Sequence, residues 1–206
     1  MKDNDLYSEI ERIRPKLEGW CSAEKARAMA QLVVEYRPQV SVEIGVFGGK
    51  SLVPQALACD YVEGGHVFGV DPWSNAEAIK DAQHPDNIKF WGGIDMEAIY
   101  RGCLTALLEN RLTQYCTVFR TTSERACTLF DEIDVLHIDD NHTEQASVLD
   151  VFLYLPKVRS GGHIWFDDVD WKEIGEHFSQ QRALDLIEER CERIRLIGNC
   201  ALYRKR

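Results

Sequence analysis

The chain has 206 residues, seven cysteines and a formal charge of −10 with acids spread along its whole length, a length that suits one domain with a sizeable core. That charge excludes the sequence-independent attraction to nucleic acid or to an anionic membrane that clustered Lys and Arg provide, so the expected partners are small or neutral molecules. The cysteines contain no Cys-x-x-Cys pair, and their odd number argues against a disulfide framework or a zinc site and for reduced thiols in a cytoplasmic protein.

Residues 5 to 17 carry Leu6, Ile10, Ile13 and Leu17 at helical spacing. A second helix is expected after Ser22, with Met29, Leu32, Val33 and Tyr36 facing inward, so that residues 1–38 form a helical lead-in. Short apolar runs then predict buried strands at 40–44 (VSVEI), 66–70 (HVFGV), 116–119 (CTVF), 134–138 (DVLHI) and 163–166 (HIWF), each followed by a plausible helix. Residues 73–112, rich in Trp, Gly and acids, interrupt the alternation as an insertion that covers a substrate or meets another subunit. The last pair of runs, RIRLI and CALYR around Gly198-Asn199, reads as an antiparallel hairpin. Strand–helix alternation implies a doubly wound α/β domain whose mostly parallel sheet collects ligands at the carboxyl ends of its strands.

The motifs lie at those ends. VEIGVFGGKS, residues 42–51, finishes like a phosphate-binding loop, but Ile44 stands where that loop needs a glycine. What remains is a strand, a turn with Gly45, Gly48 and Gly49 that allows a ligand close to the backbone, and a helix, with Glu43 nearby as a carboxylate able to face a cation. Asp71 follows the second strand, where an acid can accept from both hydroxyls of a ribose; it equally suits the start of a DPW turn. This pair fits any adenosine cofactor, nicotinamide and flavin included. After the fourth strand come Asp139, Asp140, Asn141 and His142, and after the fifth come Asp167 and Asp168. If those strands are neighbours, Asp139, Asp167 and Asp168 converge, and three like charges call for a cation. Oxygen ligands favour a hard ion such as magnesium, manganese or calcium.

Taken together and in this order, LEGWCSAEKARAMAQLV, VEIGVFGGKSL, VFGVDPW, DVLHIDDNHTEQASVLDV and LPKVRSGGHIWFDDVDW resemble the class I S-adenosylmethionine-dependent methyltransferases. The likeness is to the subgroup of macrocin-type sugar O-methyltransferases, cephalosporin-hydroxylase-like proteins and catechol O-methyltransferase. It covers nearly the whole chain from about residue 18 onward. It implies a Rossmann-like, mostly parallel seven-stranded sheet ending in the antiparallel hairpin. It further implies that Glu43, Gly45, Gly49, Ser51, Asp71, Ser123 and Asp139 bind S-adenosylmethionine and that Asp139, Asp167 and Asp168 bind Mg2+ or a similar cation. Asp168 stands where the catechol enzyme has an asparagine. The sugar enzymes' base position is Asn141 here, and the catechol enzyme's lysine base position is His142. A histidine suits proton removal near neutral pH, which makes His142 the candidate base beside Asp139; the other reading is a histidine bonded to a strand-end backbone. The expected activity is metal-assisted O-methylation of a sugar, catechol or natural-product-like hydroxyl by a homo-oligomer. Metal-independent O- or N-transfer and a non-catalytic cofactor-binding module are the alternatives.

Overall fold

A computed structural model describes residues 3–172 and 178–206. Seven strands form one sheet in the order β3-β2-β1-β4-β5-β7-β6. They are β1 (Val40–Ile44), β2 (His66–Asp71), β3 (Cys116–Arg120), β4 (Ile133–Ile138), β5 (Val158–Phe166), β6 (Cys191–Ile197) and β7 (Cys200–Lys205). The first five run parallel, and β7 lies antiparallel to both β5 and β6. The expected mixed sheet and terminal hairpin are therefore present, with β1 and β4 adjacent at the point where strand order reverses. That is where such sheets open a crevice for ligands.

The helices are α1 (Asp3–Ile13), α2 (Ala23–Tyr36), α3 (Leu52–Val62), α4 (Asn75–Ala78), α5 (Pro85–Gly93), α6 (Met96–Glu109), α7 (Ser123–Ala126), α8 (Glu144–Tyr154) and α9 (Gln181–Glu188). Among the described residues, none is long and apolar enough to cross a membrane. Strand alternation divides the core. Val42, Ile44, Leu136, Ile138, Ile164 and Phe166 face α8 and α9, while Val135, Trp165 and Leu202 face Ala28, Met29 and Leu32 of α2. Each such aliphatic side chain contributes about 1.5–3 kcal/mol by leaving water. Ser22 caps α2 by accepting from the Lys25 amide at 3.1 Å, as expected of serine before a helical stripe.

Two details differ from expectation. β5 begins at Val158, not at His163, because the unpromising letters RSGG form an irregular stretch rather than a loop. Gly161 takes φ +76, and a Cβ on Gly162 would meet the Asp134 carbonyl at 2.9 Å. Tyr36, expected inward, is 46% exposed because α2 ends there on a left-handed Arg37, and its ring lies 4.1 Å from that of His163. All seven cysteines are free, and only Cys127 is not buried.

His163 is 1% exposed, and its Nε2 finds no hydrogen-bond partner among the described residues. Burial, with Arg204 and Arg159 nearby, lowers its pKa to about 4. Above pH 6.5 the ring is neutral folded or unfolded. Below it the unfolded chain takes a proton that the folded chain refuses. Unfolding free energy should thus fall between pH 6.5 and 4, by at most about 3 kcal/mol from this group. Subtracting the urea-derived stability profile of His163→Phe isolates the effect, and identical pH slopes in the two proteins would refute it.

Candidate active site

The glycine turn after β1 is shaped first by the chain's own packing. A Cβ on Gly45, at φ +84, would lie 2.1 Å from the Asp139 carbonyl oxygen; one on Gly48 would lie 2.5 Å from the Glu18 carbonyl, and one on Gly49 2.9 Å from Cys103 Sγ. Gly45 faces the cavity described below, but Gly48 and Gly49 are not on its wall. The turn carries strain at Phe47, a bulky residue at φ +49, and Trp73 after β2 sits at φ +43. Asp71 holds both in place. Its Oδ2 accepts from the amides of Val46 at 3.0 Å and Phe47 at 2.9 Å, and its Oδ1 accepts from the Trp73 amide at 2.6 Å. Trp73 closes the loop by donating Nε1–H to the Phe47 carbonyl at 2.9 Å.

The structure places the two expected acids differently, Asp71 on the wall of the cavity described below and Glu43 away from it. A carboxylate has about four lone-pair sites. Three are filled at Asp71, which leaves one on Oδ1; burial raises its pKa while the three amides oppose that rise. Glu43 does not reach the cavity. It is fully buried, accepting from Ser51 Oγ at 2.8 Å and Gln55 Nε2 at 2.7 Å, and its Oε2 lies 3.0 Å from His137 Nδ1. Ser51 itself lies on the wall.

The cavity measures about 500 Å³ and runs from the glycine turn and Asp71 to Asp139, His142, Asp167 and Asp168. Trp20, Phe47, Phe90 and Trp91 form an aromatic rim with ring centroids 5.2–5.9 Å apart. Phe90 and Trp91 come from α5 within the 73–112 stretch. Trp73 from the same stretch is core, 3% exposed, and Trp165 is wholly buried. Ser123, expected beside the cofactor, opens onto a cavity of about 100 Å³ that adjoins the larger one and shares Pro72, Asp140 and Asn141 with it. There burial raises the Asp150 carboxyl to about 7, with Ser123 bonded to it. Asp140 beside it is also raised well above the usual carboxylate range, by burial and by Asp150.

At the acid edge, Asp139, Asp167 and Asp168 come together as the adjacency of β4 and β5 requires. The feature that sequence reasoning missed is Lys25. This lysine of α2 is 4% exposed and pairs with Asp167 Oδ2, while its Nζ lies 3.5 Å from Asp139 Oδ2. Burial works against the ammonium, but the carboxylates outweigh it and hold its pKa above the ordinary value. The missed signal was spacing. Lys25 shares a stripe with Ala28, Met29 and Leu32, and a charge on an apolar stripe needs a buried partner. Asp167 Oδ1 accepts the Asp168 amide at 3.1 Å, so both of its oxygens are engaged.

Asp168 takes φ +51. Its Oδ2 lies 2.8 Å from His142 Nε2, and its Oδ1 accepts from Asn199 Nδ2. Burial opposes both charges, yet the contact raises the His142 pKa and lowers that of Asp168. His142 is fixed from behind, with Nδ1 3.3 Å from Gln180 Nε2 and its carbonyl accepting from Ser179 Oγ at 2.7 Å. Asn141 is structural: it donates to the carbonyls of Glu77 and Lys80 and accepts the Thr143 amide, tying the start of α8 to α4 and the turn after it. Asp139, His142 and Asp168 each offer one ligand atom, all within 4.8 Å of one another, a donor set that fits a divalent cation.

Comparison places this geometry among known proteins. A family model described as a methyltransferase domain matches residues 42–169. No curated protein matches the chain. Solved structures share its fold at low identity. The cofactor-bound protein Rv0187 from MTB has a TM-score of 0.68 at 15% identity, over 99% of this chain and 91% of that one. An O-methyltransferase from Bacillus cereus in complex with SAH gives 0.66 at 16%, over 100% and 92%. The O-methyltransferase TomG from Streptomyces achromogenes, involved in tomaymycin synthesis and in complex with SAM, gives 0.64 at 14%, over 99% and 91%.

Removing Lys25 strands the buried Asp167 carboxylate and takes the ammonium from the half-buried Asp139. Lys25→Met should cost about 3–5 kcal/mol, and adding Asp167→Asn should recover much of it, a coupling of more than about 1 kcal/mol. Urea unfolding of the two single variants and the double variant measures this, and strictly additive costs would count against the buried pair.

Proposed function

We propose that this chain, which belongs to the methyltransferase-domain family, moves the methyl group of S-adenosylmethionine to a hydroxyl oxygen of a ring-bearing small molecule, assisted by a divalent cation at the acid edge. One observation carries the reading. A single cavity joins the glycine turn and Asp71 to Asp139, His142 and Asp168, so a nucleoside bound at the turn shares space with an acceptor held against the carboxylates. Solved O-methyltransferases with SAM or SAH bound, which share this fold, support the choice of cofactor and of oxygen. The rim of Trp20, Phe47, Phe90 and Trp91 supports an acceptor with a flat apolar face.

S-adenosylmethionine supplies a methyl group on a cationic sulfur, and that positive charge vanishes on transfer. The chain's residues therefore have two tasks. The first is orientation: Asp71 Oδ1 keeps one lone pair for a ribose hydroxyl, and the rim confines the acceptor. Alignment of this kind is worth roughly 7–11 kcal/mol. The second is to make the oxygen anionic. A divalent cation, when held by the acid edge, lowers the pKa of a hydroxyl beside it. The hydroxyl proton passes to a side chain of the Asp139–His142–Asp168 group, the oxygen's electron pair takes the methyl, and the carbon–sulfur pair returns to sulfur. A metal-independent transfer has one feature in its favour, the Lys25 ammonium that already neutralises Asp167.

S-adenosylhomocysteine at about 100 times its dissociation constant should stabilise the fold by roughly 2.7 kcal/mol, where ATP and NAD do not. With S-adenosylmethionine and a panel of catechols and sugars, an O-methylated product should form and EDTA should stop it. Stabilisation by ATP or NAD alone, or methylation of amines alone, would overturn the reading; O-methylation that survives EDTA would select the metal-independent form.

A further inference from the structure

We propose that the cation site of this chain is built from Asp139, the Nε2 of His142 and Asp168, with Asp167 withheld by Lys25, and that it takes a first-row transition ion in preference to magnesium. The inference rests on the metal-assisted reading above and changes its ligand set: the histidine becomes a ligand rather than a base, and the most buried of the three aspartates leaves the shell.

The case begins with Asp167. It is 4% exposed; one oxygen carries the Lys25 ammonium and the other accepts the Asp168 amide. A dication on the same carboxylate would stand against an ammonium, and like charges that close disfavour each other strongly. The deeper trio of His137, Asp167 and Cys200, whose donor atoms also lie close together, is closed for the same reason. Outside it, Asp139, His142 and Asp168 face the cavity, two oxygens and one ring nitrogen within 4.8 Å; the same ammonium touches Asp139 only at the longer distance of 3.5 Å, through Oδ2.

A second, independent observation concerns Gln180. It is 2% exposed, its Nε2 lies 3.3 Å from His142 Nδ1, and its carbonyl oxygen is buried without a hydrogen-bond partner among the described residues. The oxygen and nitrogen of a side-chain amide are assigned from the bonds they make. Turning the amide over lets the oxygen accept Nδ1–H of His142 and puts the NH2 in the position without a partner among the described residues. That places the ring's proton on Nδ1 and frees the Nε2 lone pair toward Asp168 and the cavity. A carbonyl fixing the far nitrogen is the usual support of a metal-binding histidine. An imidazole beside two carboxylates shifts preference away from magnesium, which favours oxygen-only shells, and toward cobalt, manganese or zinc.

The test is calorimetric titration of the whole chain and its variants with Co2+ and with Mg2+, folding and site integrity being checked by S-adenosylhomocysteine binding. One Co2+ should bind more tightly than Mg2+. His142→Ala and Gln180→Leu should each weaken Co2+ by about 10–100-fold, with the smaller loss at Gln180, while Asp167→Asn should weaken it less than Asp168→Asn does. Weakening by Asp167→Asn as large as that by Asp168→Asn, unchanged affinity in His142→Ala, Mg2+ bound as tightly as Co2+, or no saturable ion would each overturn the assignment. Failure of cobalt with intact S-adenosylhomocysteine binding would sink this inference alone; failure of S-adenosylhomocysteine to bind would sink the methyltransferase reading.

Discussion

Three carboxylates crowd the carboxyl ends of β4 and β5, and their mutual repulsion is the constraint around which this end of the molecule is organised. The Lys25 ammonium relieves it from below, reaching up from α2 to Asp167 and toward Asp139. Beneath that lies His137, fully buried, with Nδ1 3.0 Å from Glu43 and Nε2 3.7–3.8 Å from Asp167 and Asp139. Acid and base therefore alternate from the glycine-turn side of β1 across β4 to the cavity floor. Breaking such a row exposes an uncompensated buried charge, which is far costlier than losing a surface ion pair. The same helix that packs apolar side chains on β4, β5 and β7 thus supplies the counter-ion for the acids after β4 and β5, so packing and electrostatics are coupled through one element.

The opposite wall depends on a different device. Phe47 and Trp73 both sit in the left-handed region that bulky residues avoid, at a cost of order 1–3 kcal/mol each. The Asp71 carboxylate offsets this by accepting three amides. The turn is held by these bonds, and it carries Phe47 into the aromatic rim. Pre-organisation of this sort lowers the entropy lost on binding.

The fold was legible because its signals are local and repeated. Five buried strand runs, a two-residue hairpin turn and a serine-capped lead-in helix each declare themselves within a few residues, and their order implies the sheet. The convergence of Asp139, Asp167 and Asp168 was legible for the same reason, since it follows from strand adjacency. What stayed hidden depends on partners distant in sequence. Lys25 stands within LEGWCSAEKARAMAQLV but lies 114 residues from Asp139, and Gln180, outside every quoted motif, is 38 residues from His142. Glu43 was read as facing a ligand and lies buried away from the cavity, and the three amides on Asp71 were not foreseen, because letters show which residues end a strand but not which amides or side chains reach them first. The glycines were recognised as places of close approach, but the approaching atoms are the chain's own.

The claim at the centre of this account is that the chain divides its three aspartates between an internal ammonium and an external ion. A crystal structure of the chain grown with S-adenosylhomocysteine and Mn2+, with anomalous data collected at the manganese edge, tests it most directly. The account predicts one anomalous peak in contact with Asp139, His142 Nε2 and Asp168, S-adenosylhomocysteine against the glycine turn, and Lys25 still on Asp167. A peak coordinated by Asp167, with Lys25 displaced and His142 outside the shell, would contradict it.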